Sequence, residues 1–278
     1  MNAAANSQSP ALRPAARPVP LLLRALDRVF PPDRKTFLSS EQQTKHEIVK
    51  AAGTMGTYLS EIGFERAKTL DVLDFGCGWG GETLWLADHV RSATGVDVDC
   101  TAIDVAQAAV RDAGASNCRF VYSEDGKLPF HDDSFDAAFS TDTFEHVMDL
   151  DQAFGEIRRV LRPGGSFLTR FGPLFYSPHG YHLYWACQVP YAHLLFGLHA
   201  IVALREQRGG SSRTVRTWQD LGLNGKRAHE FMAAITRAGL EVERFAAIPV
   251  RGTKICAMMP KVRDLFIFGI DAHLRRPR

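Results

Sequence analysis

Two hydrophobic periods alternate along residues 69–171 of the chain. Short apolar runs, which predict strands, fall at residues 71–75, 93–98, 118–123, 135–140 and 166–171. Stretches with apolar residues three and four positions apart, which predict helices, lie between them at residues 82–90, 101–113 and 151–161. Strands that alternate with helices of this length predict βαβ units and a parallel sheet.

The same patterns predict further elements on both sides of this region. Helices are expected at residues 21–30, 40–63 and 226–238, and strands at 241–250 and 265–274. We predict a disordered leader over residues 1–20 and N-terminal helices over 21–67, which can act as a lid. Residues 68–278 are predicted to form one domain, with a helical and aromatic cap inserted at about 171–223.

Composition narrows the classes of protein to consider. A formal net charge of +2 with 45% hydrophobic residues is ordinary for a globular protein and predicts no nucleic-acid partner. The sequence contains no run of 18 or more apolar residues, so no membrane span is predicted. The five cysteines are scattered without a CxxC pair, so neither a zinc site nor a disulfide framework is expected. Free thiols favour a reducing, cytoplasmic location.

A glycine-rich turn follows the first predicted strand. The strand carries Asp74 into a turn that contains Gly76, Gly78 and Gly81, and a predicted helix follows. Glycine permits positive φ and lets a ligand lie against the backbone, and a helix N-terminus attracts negative groups. These glycines also satisfy the GxGxxG spacing of dinucleotide binders, with Asp97 at the end of the next strand. An NAD-dependent oxidoreductase is therefore an alternative.

The acidic residues around this turn favour a different ligand. A carboxylate at Asp74 would repel a pyrophosphate but attract the ammonium group of a methionine moiety. Asp97 can accept hydrogen bonds from two ribose hydroxyls. Glu124 and Asp125 follow the third strand, where an acid can accept from an adenine amino group. Of the two, Glu124 is favoured by its distance from Leu128.

These residues resemble a known family. Residues 74–80 resemble the DxGxGxG motif of class I S-adenosylmethionine (SAM)-dependent methyltransferases, and residues 95–97 resemble the second motif of that family. Further segments are similar to the branch that contains the ubiquinone- and menaquinone-biosynthesis methyltransferases: residues 128–130, 134–136, 144–147 and 161–165. The resemblance covers about residues 69–171. It departs from the family at 124–126, where an Asp-Ala pair is common.

The resemblance implies an α/β, Rossmann-like three-layer sandwich whose seven-stranded, mostly parallel sheet has an antiparallel last strand. It also implies SAM as co-substrate and methyl transfer to an O, N, S or C atom of a small molecule, with a role in secondary metabolism as one reading. Together with the turn, it predicts the residues that contact the cofactor: Asp74, Gly76, Cys77, Gly78, Gly80, Asp97, Val98, Glu124, Asp125, Thr141 and His146.

Candidate catalytic residues follow the fifth strand. Methyl transfer is an in-line displacement, in which positioning can supply about 7–11 kcal/mol and a base removes the acceptor's proton where there is one. His179, His182, Tyr176 and Tyr181 come after a strand end, where doubly wound sheets bind ligands. The alternative is that these residues are hydrogen-bonded parts of the cap.

Several alternatives stay open at this point. Asp142, Glu145 and His146 carry metal-ligand chemistry, but the resemblance favours a helix-start motif, so no metal is expected. In the lid hypothesis Phe37, His46 and Tyr58 reach the cofactor. Competing functions are cyclisation or cleavage of SAM itself, NAD-dependent oxidation, and SAM binding without catalysis. The expected partner is a small molecule, and a homodimer formed through the cap is a further alternative.

Overall fold

The strands form one twisted, mostly parallel sheet. The computed structural model describes residues 18–32, 39–124, 126–210 and 215–278. Within these ranges the strand order is β3-β2-β1-β4-β5-β7-β6. The strands are β1 (Asp71–Phe75), β2 (Ser92–Asp97), β3 (Cys118–Tyr122), β4 (Phe135–Thr141), β5 (Leu161–Phe171), β6 (Glu241–Pro249) and β7 (Ile267–Arg275). Only β7 runs antiparallel, against β5 and β6, so the predicted fold class is confirmed.

The helices are α1 (Leu21–Val29), α2 (Ser40–Ile62), α3 (Phe64–Ala67), α4 (Gly81–Ala87), α5 (Cys100–Ala113), α6 (Leu150–Val160), α7 (Ala192–Gln207), α8 (Ala228–Arg237), α9 (Lys254–Ala257) and α10 (Arg263–Phe266). Six of these helices, α1, α2, α4, α5, α6 and α8, lie close to the predicted bounds, whereas α3, α7, α9 and α10 were not predicted individually. Local signals set several ends: the Ser39 side chain caps α2, and the Asp99 carboxylate accepts from two amides of α5. Gly114 ends α5 in a left-handed conformation.

Helices cover both faces of the sheet. Successive side chains of a strand point to opposite faces, so Val72 packs among α2, α4 and α5 while Leu73 packs against α6 and α8. In α2, Met55 and Tyr58 are buried, and the Tyr58 ring stacks on Phe139 with centroids 5.9 Å apart. This helix is therefore part of the folded core and not a solvent-facing prefix.

The residues between β5 and α8 form a cap with its own small core. Tyr181, Ile201 and Leu204 pack there against Leu23 of α1. Arg208, just after α7, pairs with Asp27 of α1. The first helix is thereby attached to the cap, while α2 packs on the sheet.

In the part of the chain that the structure describes, no helix combines the length and apolar content needed to cross a bilayer. Residues 1–17 of the predicted leader lie outside the described ranges, as does Phe37 of the lid hypothesis.

Candidate active site

A cavity of about 570 Å³ opens at the carboxyl ends of β1, β2 and β4. Its wall is made by the turns after the first four strands and by the start of α6, which is where open α/β sheets bind ligands. Six of the predicted cofactor residues line it: Gly76, Gly78, Asp97, Val98, Glu124 and His146.

Asp97 is held in a fixed orientation at the end of β2. Its Oδ2 accepts a hydrogen bond from the Gly78 amide at 2.9 Å, and its Oδ1 accepts from the Asp99 amide at 2.9 Å. A carboxylate oxygen has more than one lone pair, so both oxygens can still accept from a ligand. Asp97 is therefore preorganised to receive a pair of hydroxyl donors.

The turn after β1 requires glycine for two reasons. Gly76 and Gly78 have φ of 79° and 49°, a conformation that costs other residues free energy. A Cβ on Gly76 would also lie 2.3 Å from Cγ2 of Thr143, in the loop after β4. The turn and the β4 loop are therefore packed closely, and bare backbone faces the cavity.

Four other predicted cofactor residues do not line the cavity. Asp74 is buried and accepts a 2.6 Å hydrogen bond from the Thr83 hydroxyl. Burial raises the pKa of Asp74 well above its usual range. Cys77, Gly80 and Thr141 likewise do not line the cavity, and Asp125 lies outside the described residues.

Asp74 is buried and does not line the cavity, so its side chain is not part of the cavity surface. Among the described residues, the acidic side chains that line the cavity are those of Asp97, Glu124, Asp142 and Asp149.

Helix α2 contacts the glycine turn directly. Glu47 accepts a 3.0 Å hydrogen bond from the Gly81 amide, and Thr44 donates to the Trp79 carbonyl at 3.1 Å. Burial raises the pKa of Glu47 to about 7. This side chain occupies the first amide of α4, one of the groups that bind a diphosphate in dinucleotide-binding folds. This contact disfavours the NAD alternative.

The residues predicted for the lid are not the α2 residues that approach the cavity. His46 is exposed and Tyr58 lies in the core, and neither lines the cavity. Instead, Lys50 of α2 forms an ion pair with the cavity residue Asp142. Sequence reasoning missed Glu47 and Lys50, because both look like ordinary charged positions on a helix surface.

Three of the candidate catalytic residues lie away from the cavity. The buried Tyr181 hydroxyl is 2.9 Å from the Cys187 carbonyl and 3.1 Å from the Val189 carbonyl. His179 Nε2 is 3.1 Å from the carbonyl of residue 188. The Arg227 guanidinium lies over the Tyr176 ring, 4.5 Å from its centroid. These contacts stabilise the cap.

His182 is the candidate that reaches the cavity wall. Its ring contacts that of His146, with centroids 4.8 Å apart. Burial lowers the pKa of His182 to about 4, so the imidazole is neutral at pH 7. Beside the pair, Glu145 is buried and accepts a 3.0 Å hydrogen bond from the Gly172 amide. Burial raises the pKa of Glu145 to about 8.

The loop after β4 contributes more to the cavity than sequence reasoning expected. Thr143, Val147, Met148 and Gln152 line the wall but were not predicted as site residues. The signal that could have identified them is the family-like segment 144–147, because these residues lie within or next to it, between β4 and the first turn of α6. Hydrophobic periodicity identifies the buried face of α6 but gives no information about the exposed positions of its first turn.

Comparisons with known proteins agree with this geometry. The profile of the family described as "Methyltransferase domain" matches residues 73–169. A sterol 4-C-methyltransferase of Caenorhabditis elegans is 34% identical over 106 residues, which are 38% of this chain and 32% of that protein. An O-methyltransferase of Penicillium expansum is 31% identical over 126 residues, 45% of this chain and 46% of that protein. The matched region thus spans less than half the length of these relatives.

A solved structure has the same fold. A geranyl diphosphate methyltransferase, determined in complex with GPP and sinefungin, superposes with a TM-score of 0.51 at 16% identity. The match covers 76% of this chain and 72% of that one. From the matched segment and the sheet topology, we conclude that residues 73–169 belong to a methyltransferase domain of the class I SAM-dependent superfamily.

Proposed function

We propose that the chain binds SAM in this cavity and transfers its methyl group to a small-molecule acceptor. The observation that carries the proposal is the cavity itself, where the oriented Asp97 carboxylate lies beside the bare backbone of Gly76 and Gly78. Its volume lies within the usual range for small-molecule sites, about 300–1,000 Å³.

The cavity residues suit each part of SAM. The two oxygens of Asp97 accept from the ribose hydroxyls. The adenine lies between the exposed Val98 side chain and Leu128, with Glu124 as acceptor for its amino group. Backbone at Gly76 and Gly78 borders the methionine portion, which points toward Asp142 and Lys50.

The chemistry needs little beyond alignment. A lone pair of the acceptor forms a bond to the methyl carbon while the carbon–sulfur bond breaks and its electron pair stays on sulfur. Holding the two reactants in line can supply about 7–11 kcal/mol. His146 and His182 adjoin the cavity from the cap side, so the acceptor is proposed to bind between them and the sulfonium.

The named relatives methylate sterols or act as O-methyltransferases, which supports a small organic acceptor here without defining its reacting atom. The described cysteines are free thiols, which supports the proposal of a cytoplasmic location. A homodimer formed through the cap and the absence of a nucleic-acid partner stay predictions.

Calorimetric titration with S-adenosylhomocysteine (SAH), the demethylated product, tests the proposal, with NAD as the comparison ligand. We expect saturable 1:1 binding of SAH and none of NAD. Incubation with SAM alone distinguishes the remaining alternative, since an enzyme that cleaves or cyclises SAM would release methylthioadenosine without an acceptor. Binding of NAD in place of SAH, or rapid methylthioadenosine release, would refute the proposal.

A further inference from the structure

Three potential metal ligands converge where the cap meets the cavity wall. One carboxylate oxygen of Glu145 and one ring nitrogen each of His146 and His182 lie within 4.8 Å of one another. Three atoms with that maximum spacing share a point no more than about 2.8 Å from each of them (4.8 Å divided by √3). Bonds of nitrogen and carboxylate oxygen to zinc are about 2.0–2.2 Å long, so side-chain shifts of under ~1 Å would complete the site.

Each imidazole is already oriented by a backbone carbonyl. His146 Nδ1 is 2.7 Å from the Gly222 carbonyl, and His182 Nε2 is 2.8 Å from the Pro173 carbonyl. Because a carbonyl only accepts, these nitrogens carry protons, and in the neutral form of each ring the other nitrogen has a free lone pair. Metal-binding histidines in proteins are held in this way by their second ring nitrogen.

The third ligand has an unused acceptor atom. Glu145 Oε1 accepts from the Gly172 amide, whereas its buried Oε2 has no hydrogen-bond partner among the described residues. The side chain is 3% exposed. A buried carboxyl oxygen without a partner is costly, and a cation that displaces the carboxyl proton would supply the missing interaction.

We propose that Glu145, His146 and His182 bind a first-row divalent transition-metal ion at the acceptor end of the cavity. Two imidazoles and one carboxylate suit Zn²⁺ or Fe²⁺ better than Mg²⁺, which prefers oxygen ligands. Three protein ligands leave coordination positions for a ligand from the cavity, which His146 lines.

The metal ion determines which chemical class of acceptor can bind at the open coordination position. An anionic or ionisable oxygen of the acceptor, such as a phenol, enol or carboxylate, would bind the open position. A bound cation lowers the pKa of an oxygen that coordinates it. This part of the inference rests on the proposed function, because it places the acceptor beside the ion. Metal binding itself does not depend on methyl transfer.

Metal binding is tested with Zn²⁺ alone, added to chelator-treated full-length protein and followed by calorimetry. Substitution with Co²⁺ adds a visible spectrum that reports nitrogen and oxygen coordination. We expect one Zn²⁺ per chain. Glu145→Gln, His146→Asn and His182→Asn should each weaken its affinity about 10-fold or more. His131→Asn, an exposed histidine remote from the cluster, is the matched control.

Absence of stoichiometric Zn²⁺ binding would overturn the proposal, as would wild-type affinity in all three ligand variants, since the ion would then be bound elsewhere, for example at exposed Cys100. If a variant fails to fold, His182→Gln is used in its place. Binding is then followed by the Zn²⁺-induced rise in melting temperature. That rise should occur in wild type and disappear in the variant. SAH titration of metal-free protein separates this result from the proposed function, because each can fail while the other holds.

Discussion

The carboxylate of Glu47 in α2 caps the first amide of α4, with 3.0 Å between Glu47 Oε2 and the Gly81 nitrogen. The two residues are 34 positions apart, so this contact depends on how α2 packs across the glycine turn. It places an acidic side chain where dinucleotide-binding folds put a diphosphate. It also connects the N-terminal helices to the proposed SAM site.

Lys50→Ala tests whether α2 takes part in ligand binding. Lys50 pairs with the cavity residue Asp142, and both side chains are about half exposed, so the pair contributes little to stability. We expect the Kd for SAH to rise about 5-fold or more with the melting temperature nearly unchanged. The control is Lys45→Ala, which removes an exposed pair with Glu41 on the same helix. Equal Kd values in both variants would contradict a lid role.

Asp97→Ala should weaken SAH binding strongly. Hydrogen bonds to a charged group contribute about 1.5–3 kcal/mol, so the Kd measured by calorimetry should rise about 10- to 150-fold. Asp99→Ala is the control, because Asp99 accepts from amides of α5 and does not line the cavity. That variant should lose about 1 kcal/mol of stability and keep its affinity. Unchanged binding by Asp97→Ala would place the ribose elsewhere.

Gly76→Ala should damage the cavity more than its backbone conformation alone explains. The added Cβ would meet the Thr143 side chain at 2.3 Å, so the turn and the β4 loop must separate. Gly114→Ala has a similar positive φ but nothing within 4 Å of the new Cβ, so it should cost only about 1–2 kcal/mol. We expect loss of SAH binding in the first variant and retention in the second. Comparable SAH affinities would contradict the packing argument.

Tyr181→Phe separates a catalytic from a structural role for a residue that the sequence suggested as catalytic. Removing the buried hydroxyl leaves carbonyls without their partner, which costs about 1–3 kcal/mol. Denaturant unfolding should show this loss, and kcat at saturating substrate should stay unchanged at a temperature where the variant is folded. A 10-fold fall in kcat without a change in stability would restore the catalytic hypothesis.

Glu145 predicts a pH dependence of stability. Its folded-state pKa is about 8, raised by burial from the ordinary 4.5. Between these values the folded chain keeps a proton that the unfolded chain has released, so stability falls as pH rises toward 8. In chelator-containing buffer, Glu145→Gln should show a smaller fall in melting temperature from about pH 5 to 8 than wild type. Parallel curves for the two proteins would exclude this contribution.

Much of the fold could be predicted because it follows from local sequence. The strand at 71–75 and the helix over 40–63 are encoded in hydrophobic period, and the bend at Gly76 and Gly78 is encoded in residues that tolerate positive φ. Asp97 was identifiable for the same reason, since a residue that ends a parallel strand lies at the ligand-binding edge of the sheet.

The sequence alone therefore determined the sheet, the glycine turn and the acid that ends β2. Only the tertiary structure decided that Asp74 is buried beneath the turn, that Glu47 and Lys50 approach from α2, and that His182 meets Glu145 and His146. The physical reason is that period and backbone preference act within a few residues. Contacts between α2, the cap and the β4 loop join segments far apart in sequence, and their geometry is set by how those segments pack against the sheet.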